Sequence, residues 1–141
     1  MGVAAPQPDT NDVARRGYEV TMSFAALAPR ALGSAFAISG TVHLVRPQVF
    51  EVIMPRVLPE AFHRPLVFLS GMAELGLATG LVRHRPWARW PSVLLLLAVF
   101  PANVQMAIDA GTGRQPGLSD RKAVAWGRLP LQGLLIWAAL Q

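Results

Sequence analysis

Six polar side chains interrupt stretches that are otherwise apolar: His43, Glu74, Asn103, Gln105, Arg128 and Gln132. Arg128, Gln132, Asn103 and His43 are hydrogen-bond donors suited to carbonyl oxygens, and Glu74 can take up a proton or pair with Arg128. Arg128 and Gln132 stand at i and i+4, on one helical face. His43 follows Ser39 by the same step. An ionisable group in hydrocarbon is costly, so it turns to the protein interior or to water and finds a partner. His43, Glu74, Asn103, Arg128 and Gln132 are therefore the candidate ligand-binding residues; no catalytic residue is assigned. Each also has a structural reading. Glu74 and Arg128 would form an ion pair that sets helix register. Asn103 would hydrogen-bond between helices, and His43 would touch water near a helix end.

Other chemistries find little footing. The chain has no cysteine, which removes disulfide exchange, Cys-ligated zinc and Cys-ligated iron–sulfur clusters. His43 and Glu74 alone supply only two ligands, so no metal is assigned. His43 and His84 fall on opposite membrane sides, against haem held by two histidines. No Ser-His-Asp arrangement or phosphate loop is visible. The net charge is +5, but the arginines stand singly or in small groups between apolar runs. That pattern flanks membrane segments and does not form a phosphate-binding stripe, so no nucleic-acid partner is expected.

The elements that must position these residues follow from hydropathy. Of 141 residues, 52% are hydrophobic and 15% charged; the mean hydropathy is +0.37. An apolar core about 30 Å thick needs about 20 helical residues. Four segments approach that length, about 27–45, 66–82, 90–108 and 123–140. The expected fold is all-α, an integral membrane four-helix antiparallel bundle over residues 26–141, with the lipid bilayer as its surroundings. Residues 1–25 are expected to form a mobile tail. The connection Arg46–Pro65 carries the stripe Val49, Phe50, Ile53, Met54 and the prolines Pro55, Pro59 and Pro65. It reads as a short, half-embedded segment in which the prolines stop a long helix. "RHRPWAR", Arg83–Arg89, is short enough to demand an antiparallel neighbour. Asp109–Lys122 reads as a flexible loop, with Ser119 as N-cap of the fourth helix. The small residues of "SGMAELGLATG" predict close helix packing.

Depth brings the polar residues together. From the side of the long first connection, His43 lies about 5 Å in, Asn103 and Arg128 about 8 Å, Glu74 about 12 Å and Gln132 about 14 Å. That is one layer, in one leaflet. Pro101 has no N–H for the Leu97 carbonyl and should kink the third helix just before Asn103; Pro130 should do the same beside Arg128 and Gln132. Two kinks bordering one polar layer would open a pocket.

The blocks "SGTVHLVRPQVFEVIMP", "VFLSGMAELGLATGLV", "AVFPANVQMAI" and "WGRLPLQGLLIWA" resemble successive blocks of the DoxX-like small membrane proteins, from about residue 33 to 139. "FPAN" and "RLPLQ" in the third and fourth helices carry most of the specificity. The resemblance implies a four-helix integral membrane protein. Some relatives are subunits of membrane oxidoreductases that act on sulfur compounds with quinone as acceptor. Others hold redox enzymes together in a membrane complex. The expected function is thus a redox-associated membrane subunit, with quinone as the candidate cofactor and an oxidoreductase or other membrane-complex protein as partner. The alternative is a non-catalytic scaffold. A transporter is disfavoured because the polar residues stop in one leaflet. The expected location is the bacterial plasma membrane. Basic residues divide evenly, Arg15, Arg16, Arg30, Arg83, Arg85 and Arg89 against Arg46, Arg56, Arg64, Arg114, Arg121 and Lys122. The concentration in the short Arg83–Arg89 loop favours cytoplasmic termini.

Overall fold

The computed structural model describes residues 10–115 and 117–141. Among these the chain is all-α: α1 (Thr10–Val45), α2 (Gln48–Glu51), α3 (Glu60–Val82), α4 (Arg89–Asp109) and α5 (Lys122–Leu140), with 3₁₀ turns at Pro86–Ala88 and Gly117–Asp120. α1, α3, α4 and α5 are long and apolar enough to cross a membrane, by length and composition.

Two boundaries differ from expectation. α1 begins at Thr10, not near residue 27, so part of the expected tail is helix; residues 1–9 of it lie outside the described residues. No proline interrupts Thr10–Ala28, and Asp12 in the first turn suits a helix start. At 36 residues, α1 is about 54 Å long, and Asn11–Thr21 project with every side chain exposed. α3 begins at Glu60, directly after Pro59, and runs through Pro65. Near a helix start Pro65 removes a single ladder bond, so the connection after α1 is shorter than its prolines suggest.

The register of contacts makes neighbours antiparallel. Gly33 of α1 meets Val82 and Ala78 of α3, and Gly40 meets Gly71. A Cβ on Gly40 would lie 2.7 Å from the Gly71 carbonyl oxygen, so only glycine permits this approach. Arg89 reaches the Gln141 carbonyl while Asn103 meets Gln132, which orders α4 against α5. One core cluster joins all four long helices through Leu32, Phe36, Leu77, Leu81, Leu96 and Ala139. A second joins Ile53 to Met106, Ala107, Ala110 and Ala125, with Phe50 packed against it. The outward faces carry exposed Leu69, Leu94, Trp126 and Leu134.

The loop after α4 is tied down. Asp120 accepts hydrogen bonds from the backbone N–H of Gly111 and Gly113, both at 3.1 Å. These glycines take positive φ, +82° and +73°, which side-chain-bearing residues resist. α5 is flanked by Arg121 at its N-cap, with no side-chain cap. The side chain of Ser119, the expected N-cap, lies outside the described residues.

Candidate functional site: a buried His–Glu pair under an aromatic ring

α1 and α3 bring His43 and Glu74 together. Gly71 leaves room for the His43 Cβ, and Glu74 follows Gly71 by one turn. Both side chains are buried, at 7% and 6% exposure. His43 Nδ1 lies 3.4 Å from Glu74 Oε2 and 2.8 Å from the Ser39 carbonyl oxygen. A carbonyl only accepts, so Nδ1 carries the proton, and Nε2 is left to accept or, in the imidazolium, to donate. Glu74 Oε2 has no hydrogen-bond partner. Above the imidazole lies Phe50, stacked at 3.6 Å between centroids and 12° between planes. α2 supplies this ring, while Ile53 and Arg56, just beyond α2, anchor the same connection on α4 and α5.

Asn103 and Gln132 form a second pair. Asn103 Nδ2 donates to Gln132 Oε1 at 3.0 Å, and Gln132 Nε2 donates to the Leu96 carbonyl. That carbonyl is the neighbour of Leu97, whose usual donor Pro101 removes. Gln132 thus adds a donor one residue before the carbonyl that Pro101 frees. α4 and α5 run through Pro101 and Pro130 as single helices.

The expected Glu74–Arg128 pair is not formed. Arg128 is exposed and reaches Met106 Sδ at 3.3 Å; Glu74 faces α1 because α1 packs on α3 through glycine. The structure therefore joins His43 with Glu74 and Asn103 with Gln132, and leaves Arg128 with neither.

Asp109 escaped the sequence reading because it ends an apolar run and looks like loop. It is buried at 6% exposure. It accepts from Arg56 and from Gln105 Nε2 at 2.9 Å, and lies 3.5 Å from Arg114 Nη1. The i, i+4 spacing of Gln105 and Asp109 was the one local signal. Among the described residues no three His, Cys, Asp or Glu side chains gather into a metal-binding group.

Fold and site together define a class: an all-α chain with four helices apolar enough to span a membrane and a titratable pair buried between two of them. The family model described as "Domain of unknown function (DUF8561)" matches residues 32–141, and the chain belongs to that family. The match takes in all five candidate residues and leaves out the projecting part of α1. No curated protein and no solved structure matches the chain.

Proposed function

We propose that the chain is an integral membrane protein that binds a quinone-like molecule at His43 and Glu74, as an accessory subunit of a membrane oxidoreductase. One observation carries this reading: a buried imidazole under a stacked aromatic ring is paired with a buried carboxylate whose Oε2 accepts no hydrogen bond. Intramembrane ionisable groups are functional by default. Phe50 closes over the imidazole face and competes with an entering quinone, and its short helix is the element that would yield. In its imidazolium form His43 would donate Nε2–H to a quinone carbonyl, and Glu74 would exchange protons with the imidazole. Reduction of a quinone adds electrons and protons in equal number. The electrons come from a partner subunit, because this chain holds no cysteine-bound redox centre. The resemblance of "FPAN" and "RLPLQ" to DoxX-like blocks supports the redox association.

In this reading α1, α3, α4 and α5 cross the bacterial plasma membrane as an antiparallel bundle. The connection from Arg46 to Pro59 lies half-embedded at the far surface, and both termini are cytoplasmic. The experiment is titration of a short-chain quinone analogue into the protein in nanodiscs, followed by tryptophan quenching. Phe50→Ala is expected to bind about tenfold tighter, since it removes the competing ring. His43→Leu is expected to lose binding. Equal affinity in all three proteins would contradict the reading.

The Asn103–Gln132–Leu96 chain of hydrogen bonds favours a second reading, a scaffold whose polar groups fix helix packing. It requires that a doubly apolar His43→Leu, Glu74→Leu protein still support its complex.

A further inference from the structure

An open groove of about 550 Å³ runs between α3 and α4. Apolar residues line it, among them Gly76, Leu77, Leu94, Leu95 and Ala98, with Trp87 at one end. The groove owes its depth to Gly76: a Cβ there would meet nothing within 4 Å. Gly80, the next small residue on this face, is instead covered by Trp87, whose Cζ2 would stand 2.9 Å from an added Cβ. From Trp87 to Ala98 the groove extends about 16 Å along α4, close to the roughly 15 Å of one hydrocarbon leaflet.

Charge decides what fits. Arg83 continues the Gly76–Gly80 face at the i, i+4, i+7 spacing, whereas Arg85, extended beyond His84, lies beside Pro29, Leu81 and Gln141. Both are exposed. Among the described residues neither pairs with a carboxylate, and no acidic residue occurs between Arg83 and Ile108. An open apolar groove one leaflet long therefore ends at an interfacial tryptophan, and the unneutralised Arg83 continues its α3 face beyond Gly80.

We propose that this groove is a bound-lipid site. It takes one acyl chain of an anionic phospholipid, whose phosphate lies at Arg83 with Trp87 at headgroup level. The proposal needs the bundle to lie in a membrane but not the quinone site.

Native mass spectrometry of the full chain tests it, after exchange into an equal mixture of phosphatidylglycerol and phosphatidylcholine with the same acyl chains. Wild type is expected to retain phosphatidylglycerol at least about fivefold over phosphatidylcholine. Arg83→Gln should retain both lipids equally. Gly76→Leu should retain neither; its added side chain enters open space, and Ala98→Leu, at an exposed position, fills the same groove from α4. Circular dichroism confirms that each variant is helical. Three outcomes overturn the proposal: equal retention of both lipids by wild type, undiminished lipid on both groove-filling variants, or a lipid-free wild-type dimer that Gly76→Leu converts to monomer, which would make a second copy the occupant.

Discussion

His43 and Glu74 depend on each other because neither has water to fall back on. Removing the imidazole leaves a buried carboxylate uncompensated, a loss of about 3–5 kcal/mol. Removing both groups avoids that penalty. His43→Leu is therefore expected to unfold far more readily than wild type in bicelles, and the His43→Leu, Glu74→Leu double variant to recover most of the loss. A double variant no more stable than the single one would show that the pair is not energetically coupled. These residues were legible in the sequence as intruders in apolar segments, and their depths followed from helical rise. Their partners were not. In a helix that meets both lipid and protein, both faces are apolar, so periodicity does not reveal which way Glu74 turns. Arg128 looked like its partner by depth alone. Asp109 stayed hidden because Arg56, its partner, stands 53 positions away in the chain.

The helices find their neighbours through small residues. Gly40 and Gly71 sit where any Cβ would strike backbone or the base of His43, whereas Gly76 faces open space. Gly40→Ala is expected to destabilise the fold by about 1–3 kcal/mol through forced separation of α1 from α3. Gly76→Ala should gain up to about 1 kcal/mol from helix propensity alone. Thermal unfolding in one detergent compares the two; equal shifts of the same sign would contradict the packing. The run "SGMAELGLATG" announced such packing, yet it did not tell a glycine under a neighbouring backbone from one lining a groove. Prolines misled at the element scale. Near the starts of helices they cost little, so α3 begins before Pro65. The N-terminal extent of α1 was obscured because Asn11–Thr21 are exposed and lack a hydrophobic run, although nothing in them breaks a helix.

Across the whole molecule, charge is arranged unequally despite equal numbers. At the end holding α2, Arg56 and Arg114 are engaged by Asp109, and Arg64 stands 4.0 Å from Glu51. At the other end Arg83 and Arg85 pair with no carboxylate among the described residues, and the projecting part of α1 adds Arg15 and Arg16. Because the chain has no cysteine, a single introduced one is a clean topological label. Val13→Cys, on the projecting helix, should react with a membrane-impermeant maleimide only after cells are permeabilised. Val57→Cys, at 87% exposure, should react in intact cells. The reverse pattern would invert the orientation.

If the His43–Glu74 pair holds a ligand, small molecules extracted from the detergent-purified protein will show it by mass spectrometry, with wild type beside Glu74→Gln. A quinone is expected on wild type and absent from the variant. A folded wild type that carries none, or a variant that carries as much, would contradict a ligand at the pair.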